Sequence, residues 1–469
     1  MSAAGRGAAP EAATPAVAPL EVARRVVEKA RTAAGGHAGR FECDAMVVAS
    51  RDSSVTVRLQ KLETVKDAAS RAVGLRVIVD GRQAVVSSAD VSDEALDQIV
   101  ADALGLAAIS EPDEHAGLPD PADQATARDE LQLYDEAVDA MEARERIDRA
   151  LACEQAALDA DRRIENSGGG SCSTRVAEVA LADSNGFAGS YLGTSASLGV
   201  EVMAAEPDGR LRNDYWFSAE RQLHRLEDAA VVGREAAARA LRQLGARKAG
   251  TTTAPVVWEP RMAAGLLRTI ANAADGEALY RRSTFLAGRE GDAVASPLVS
   301  VGDDPRLPGR LGSRPFDGEG IATRRNVLFE DGVFQTFLCD TYNARRLGRV
   351  STGSAVRDVG SLPGVGAGNL VMQAGDHSPE QIIAEVEDGL YLTSLMGFGI
   401  NLTTGDFSRG AAGLWIRDGR LAEPVSEINV SGNLTEMLAS IDAVGTDVQW
   451  FGSAAAPTLR MSKLTVSGS

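Results

Sequence analysis

The sequence predicts an α+β protein, with an N-terminal α/β region built on a mostly antiparallel sheet and long helices, then a β-rich C-terminal region. Three observations predict it. Apolar residues recur at helical spacing in several stretches before residue 245. Asp-Gly pairs at 80–81, 331–332 and 418–419 lie between β-branched or apolar runs, the signature of tight hairpins. Near Gly245 the texture changes: Ala-rich helices thin out, and glycine and threonine crowd stretches such as GFGINLTTGDFSRGAAG.

The elements follow in order. Residues 1–19 read as an Ala/Pro-rich leader without a periodic apolar face. LEVARRVVEKARTAA (20–34) predicts a helix, with Leu20, Ala23, Val26, Val27 and Ala30 on one face. CDAMVVAS, SSVTVRLQKLETV and GLRVIVDGRQAVVSS predict strands, the last folded at Asp80-Gly81. A helix over 93–107 and a Pro/Asp-rich connection follow. A long helix is expected over 135–163, three strands over 166–206 with Asn185-Gly186 at one turn, and a second long helix over 218–243. Beyond the boundary at 245–255, Ser378 caps a helix that opens on Pro379, and a last helix is expected over 435–444. The domains are therefore expected at 20–248 and 249–469.

Composition narrows function. The 469 residues carry 48 Lys and Arg against 66 Asp and Glu, a net charge of −18. That excludes the basic footprint of a nucleic-acid binder and of an anionic-membrane binder. No apolar run approaches the ~20 residues of a spanning helix. Four cysteines, Cys43, Cys153, Cys172 and Cys339, are scattered without a CxxC pair, which points to a reducing cytoplasm.

The chemistry is mostly negative. Only four histidines occur, His37, His115, His224 and His377, no two adjacent in sequence and none followed by Glu. They read as surface histidines, and no helical zinc motif or Ser–His relay is visible. GxSxG is absent. GVGAGN (364–369) lacks the Lys and strand–turn–helix context of a phosphate loop and reads as a flexible loop. Cys172 and Cys339 read as packed thiols. Asp317 and Glu319 of DGEG, with Asp340, could line a site for a hard cation through oxygen ligands. Acidic turn residues at strand ends account for the same pattern. Asn343 and Arg346 complete the set of candidate channel residues; no catalytic residue is assigned.

Two long blocks resemble a known family. VASPLVSVGDD…PGRLGSRPFDGEGIATRRNVLFEDGVFQTFLCDTYNARRLG…STG is similar to the TldD/PmbA (TldE) peptidases. TTGDFSRGAAGLWIRDGRLAEPVSEINVSGNLTEMLASIDAVGTD resembles the signature of the PmbA/TldE branch, and GLRVIVDGR and DSNGFAGSYLGTSASLGVEVMA resemble the family's N-terminal region. The resemblance implies a TldD/PmbA-like fold and a cytoplasmic pair of related subunits. A TldD-like chain holds zinc through a His–Glu helix and a late cysteine. A TldE-like chain completes the enzyme, which degrades unfolded peptides and trims leader peptides.

The sequence departs from the zinc-bearing branch within VVWEPRMAAGLLRTIANAADGEAL. After Leu266-Leu267 it reads Arg268-Thr269, where the first ligand histidine and its glutamate would stand, and Ala273 lies where the second is missing. GTDVQWFGSAAAPTLRM contains no cysteine. The resemblance thus implies a chain without cofactor or metal of its own, zinc in a TldD-like partner, a peptide substrate, and a heterodimer or a homodimer. A stand-alone homodimeric hydrolase of a small amide or peptide, using Asp317, Glu319 and Asp340, and a non-catalytic peptide-binding protein are the alternatives.

Overall fold

The computed structural model describes residues 17–36, 38–126 and 130–468. The N-terminal half runs α1 (Pro19–Ala33), β1 (Phe41–Arg58), β2 (Lys61–Val79), β3 (Arg82–Ser88), α2 (Asp93–Ile109), α3 (Glu136–Asp139), α4 (Ala143–Leu158), β4 (Ile164–Asp183), β5 (Ala188–Ala205), β6 (Leu211–Glu220) and α5 (Ala229–Leu241). Its six strands form one antiparallel sheet in the order β3-β2-β1-β4-β5-β6. Strand periodicity sends alternate residues to opposite faces. Cys43, Ala45 and Val47 pack beneath α1 and α2. Further along β1, Val55 and Val57 pack with Cys172 and Leu198 beneath α4 and α5. The opposite face turns Asp44, Leu181 and Tyr191 toward the C-terminal half.

The C-terminal half begins with β7 (Thr252–Trp258), α6 (Pro260–Ala273), α7 (Gly276–Tyr280), β8 (Val301–Asp303), β9 (Asn326–Glu330), β10 (Val333–Phe334) and α8 (Thr341–Arg346). It continues with β11 (Ala355–Val356), β12 (Gly364–Val365), β13 (Leu370–Met372), α9 (Pro379–Ala384), β14 (Asp388–Met396), β15 (Ile400–Asn401) and β16 (Asp406–Arg417). It closes with β17 (Arg420–Asn433), α10 (Leu434–Ala439), β18 (Ile441–Val444), β19 (Gln449–Phe451), β20 (Ala454–Ala456) and β21 (Leu459–Ser467). One sheet runs β14-β7-β21-β17-β16, and β14 also pairs with β16, so these five strands close into a barrel. A mixed sheet, β10-β9-β8-β13-β20-β19, flanks it. The main core joins both, with Trp258, Phe329, Phe334 and Phe337 fully buried.

The molecule is α+β, with an antiparallel N-terminal sheet and a β-rich C-terminal half. The three Asp-Gly hairpins form as expected: Asp80, Asp331 and Asp418 take positive φ before their glycines. The Ser378 capping box also forms. Several local expectations are corrected. The long helix over 135–163 is two helices, broken at Met141, whose carbonyl is taken by buried Arg146 at 2.6 Å. The three strands over 166–206 are two; Gly168-Gly169 makes a bulge in β4 rather than a turn. The stretch 218–243 is not one helix. Its start belongs to β6, pairing Ser218 with Leu198, and α5 begins only after Asp228, whose carboxylate caps it. His224 therefore sits in a short 3₁₀ turn, not on a helix face. SSVTVRLQKLETV folds back at Leu59-Gln60 instead of running straight. The helix over 435–444 stops at Ala439 and continues as β18. The first helix starts one residue early, with Pro19 buried at its opening. Residues 1–16 of the expected leader, and His37, lie outside the described residues.

Candidate functional site

Two places collect the residues singled out in the sequence. The first is α6. Strand β7 is part of the barrel wall, between parallel β14 and antiparallel β21. It delivers the chain to Glu259 and Pro260, and Pro260 at the first position suits a helix start. Ala263, Leu267 and Ile270 anchor α6 in the core. Arg268 stands on the exposed side and donates from its guanidinium to the Phe451 carbonyl of β19, the edge strand of the mixed sheet. Thr269 turns its hydroxyl back onto the Gly265 carbonyl at 3.2 Å. Ala273 is fully buried, and its carbonyl accepts from Thr284 at 2.6 Å. At 3.6 residues per turn, Ala273 lies about 140° around the helix from Arg268. Arg268 and Thr269 thus reach the open side of α6, whereas Ala273 belongs to the core.

The start of α6 carries a charged cluster that sequence reasoning missed. Glu259, buried, receives Arg239 of α5 at 2.5 Å and Arg242 at 3.1 Å. Arg239 also lies over the Trp216 ring, 4.9 Å from its centroid. These groups and Phe451 line a cavity of about 340 Å³ between α5 and α6. The only local signal was the charge alternation in WEPRM; the partners come from a helix twenty residues upstream.

The second place is a buried carboxylate cluster. Asp317 sits in a tight turn, where Oδ1 accepts from the Glu319 and Ile321 N–H groups at 2.9 and 3.0 Å. Its Oδ2 accepts from the Ala355 N–H at 3.0 Å. Glu319 Oε2 accepts from the Thr341 N–H at 2.8 Å, and Asp340 caps α8 by accepting from the Asn343 N–H at 2.8 Å. The structure therefore gathers Asp317, Glu319, Asp340 and Asn343, all between 0% and 3% exposed. Arg346 stays apart, stacked on Tyr280 at 3.4 Å and Tyr342 at 4.9 Å. Burial pushes the Asp317 carboxyl up to about 7, with the Glu319 charge adding to it. Burial and the same neighbour push Asp340 up to about 6.

These residues do not line an open channel in the isolated chain. A cavity touching Asp317 measures about 120 Å³, below the roughly 300 Å³ of a small-ligand site. A carboxylate sealed in this way cannot reach an external amide as a general base. All four cysteines are free and buried, and burial raises Cys172 to about 11 and the other three to about 12. Such thiols are inert. His115 packs edge-on near Tyr342. GVGAGN contributes two residues to a short β11–β12 pair.

Metal chemistry is decided by donor type and grouping. Among the described residues, no three His, Cys, Asp or Glu side chains are grouped to hold a metal ion. An arginine and a threonine on the open face of α6 do not supply the N and S donors that zinc takes.

The fold and this site can be set beside known proteins. Residues 43–107, 136–244 and 251–468 match, in turn, domain 1, the central domain and the C-terminal domain of the PmbA/TldA metallopeptidases. The metalloprotease PmbA of Escherichia coli O157:H7 is 33% identical over 454 residues, covering 96% of this chain and 98% of its own length. A metalloprotease PmbA homolog from Haemophilus influenzae is 33% identical over 88% of this chain and 90% of its own. A crystal structure of a proposed modulator of DNA gyrase from Bacteroides thetaiotaomicron superposes with a TM-score of 0.88 at 29% identity, covering 96% of this chain and 98% of that one. TldE from Thermococcus kodakarensis shares the fold, with a TM-score of 0.83 at 24% identity over 91% of this chain and 97% of its own. The class is that of metalloprotease-like α+β proteins with a closed C-terminal barrel. The chain belongs to the PmbA/TldD metallopeptidase family.

Proposed function

We infer that this chain is the TldE/PmbA-like subunit of a cytoplasmic TldD/TldE-type peptidase that cleaves unfolded or leader peptides. A TldD-like partner holds the zinc, and this chain shapes and closes the substrate channel. The observation that carries the reading is Arg268. It occupies the open face of α6 where the family resemblance puts a ligand histidine, and its guanidinium is committed to the Phe451 carbonyl. A fixed positive charge there opposes a divalent cation. Edge strand β19 lies beside that face and is suited to hold an extended peptide through main-chain hydrogen bonds, a sequence-tolerant mode. The net charge of −18 suits a soluble chain.

The test is reconstitution. The purified chain should hold no stoichiometric zinc and cleave no unfolded peptide alone. Mixing with a TldD-like chain from the same cell should give a mixed complex by native mass spectrometry, and cleavage should appear with it. One tightly held zinc per isolated chain, or robust cleavage by the isolated chain that survives Arg268→Ala, would sink the reading in favour of a stand-alone hydrolase. A stable mixed complex without cleavage would favour a peptide-binding role.

A further inference from the structure

Among the described residues, Phe398 is the most exposed large apolar side chain, at 102%, and Met396 two positions before it is 51% exposed. Both stand at the tip that joins β14 to β15. The backbone there is closely determined. Gly397 takes a φ of 79°, in the left-handed region, and a Cβ at Gly399 would fall 1.8 Å from the Ser408 carbonyl oxygen. The Gly399 carbonyl accepts from the Ser408 N–H at 2.7 Å, and the Phe398 carbonyl from the Ile400 N–H at 2.8 Å. Two glycines and two main-chain bonds thus fix a tight tip that holds one aromatic ring out in water. Leu395, Ile400 and Leu402 on either side pack against the main core. The ring contributes no burial to the fold, so its use lies outside the isolated chain.

The tip belongs to a segment tied to both ends of α6. Before it, the Thr393 carbonyl accepts from Arg261, at the start of α6, at 3.1 Å. After it, the Leu402 carbonyl accepts from the Phe285 N–H at 2.7 Å, and neighbouring Thr284 holds the Ala273 carbonyl at the end of α6. The segment between therefore runs the length of the helix whose open side carries Arg268. Residues 389–405 contain no Asp, Glu, Lys or Arg, in a chain where 24% of residues are charged. Few charges, with an exposed aromatic ring and a methionine, is the composition of an interface centre. Shape selects the occupant. A projecting ring gains from a pocket that closes around it, which a folded chain can offer and an extended peptide cannot.

We propose that Phe398 is the anchor by which the folded, zinc-holding partner docks beside α6, its ring entering an apolar pocket on that chain. The inference rests on the subunit reading above and adds to it the place of contact.

The test mixes the full-length chain with a TldD-like chain from the same cell and titrates the mixed complex by native mass spectrometry. Phe398→Ala should melt like wild type, because the ring has no burial to lose, and should weaken the complex about thirtyfold, the loss expected of an aromatic hot spot. Phe398→Leu should recover part of that loss. Ile109→Ala removes an apolar side chain that is 81% exposed on α2 and should leave the complex unchanged. A Phe398→Ala complex as tight as wild type would overturn the anchor and leave the subunit reading standing. No mixed complex with wild type would overturn both. An equal loss in Ile109→Ala would reduce the effect to general apolar adhesion and overturn the anchor. Wild type that pairs with itself through Phe398 would make a second copy the occupant. A Phe398→Ala complex that stays intact but no longer cleaves would make the peptide the occupant. Either would overturn docking on the partner.

Discussion

The N-terminal sheet and the C-terminal barrel bury their apolar surface in different ways. In the sheet, four strands of 18 to 20 residues run side by side, and helices cover one face in two separate groups. Each group is a short alternation beneath one helix pair, so the sheet carries two separate cores. In the barrel, β7 lies between β14 and β21, which follow it by more than a hundred residues. The first strand of that half cannot be paired on both edges until the last has been made. The difference teaches where stability is local and where it is shared.

The largest effect is expected where the barrel shares one core. Trp258 is fully buried at the end of β7 and packs near Phe407, with ring centroids 6.0 Å apart. Trp258→Ala should cost about 3–5 kcal/mol. Because the barrel closes on itself, hydrogen exchange should speed up in β14, β16 and β21 together, and remain slow in β1 and β4. Acceleration spread equally over both halves would mean that they unfold as one unit, and the contrast would fail.

That contrast also explains what was legible in the sequence. Alternation and helix spacing identify α1, α2 and the Asp-Gly hairpins because the causes lie within a few residues. The end of β6, from Ser218, was misread as helix because what makes it a strand is its pairing with β5, Ser218 against Leu198, across a turn that Pro207-Asp208-Gly209 does signal. At the candidate site, Arg268 was visible from its position after Leu266-Leu267, but its partner Phe451 is 183 residues away. Asp317, Glu319 and Asp340 were visible as acidic residues. Their burial was not, because it depends on β2 and on the 355–357 segment closing over them. The Glu259 cluster was missed for the same reason.

A smaller pair of effects sharpens the comparison through pH, because buried Asp303 in one half and buried Asp44 in the other shift in opposite directions. In the C-terminal half, burial pushes Asp303 up to about 6, against the Gly368 N–H that favours its charge. Its unfolded value is about 3.9, so the folded state binds the extra proton. Its contribution to stability is full below that value and is lost as pH rises through about 6, at up to ~1.4 kcal/mol per pH unit. Asp303→Asn should reduce that slope in urea unfolding between pH 4 and 7, where Asp317 and Asp340 also contribute. At the sheet, burial works against the charge of Asp44, but Arg357 and Arg76 outweigh it and hold the carboxyl below its ordinary value. Its contribution is present above about pH 3.9 and is lost as pH falls through the lowered folded value. Acid below pH 4 should therefore release the Arg76–Asp44–Arg357 link between the halves first. If the acid loss is unchanged in Asp44→Asn, that link is not what acid breaks.

The smallest effect tests the turn that the sequence hid. The hairpin between β1 and β2 turns through Leu59 and Gln60, with φ of 48° and 60°. Both lie in the left-handed region, where Asn and Gly are at ease and a branched side chain is strained. The same strand ends at its other side in Asp80-Gly81, a pair made for that geometry. Leu59-Gln60 holds because buried Glu154 of α4 accepts from both N–H groups, at 2.9 and 2.7 Å. The turn is thus fixed by a residue 95 positions away rather than by its own chemistry. Leu59 is 48% exposed, so little burial is lost by changing it. Leu59→Asn leaves both main-chain bonds to Glu154 in place and removes the local strain. It should raise stability by about 0.5–1 kcal/mol, read as a higher urea midpoint with an unchanged slope. A lower midpoint would show that the Leu59 side chain is worth more to the edge of the sheet than the strain it carries.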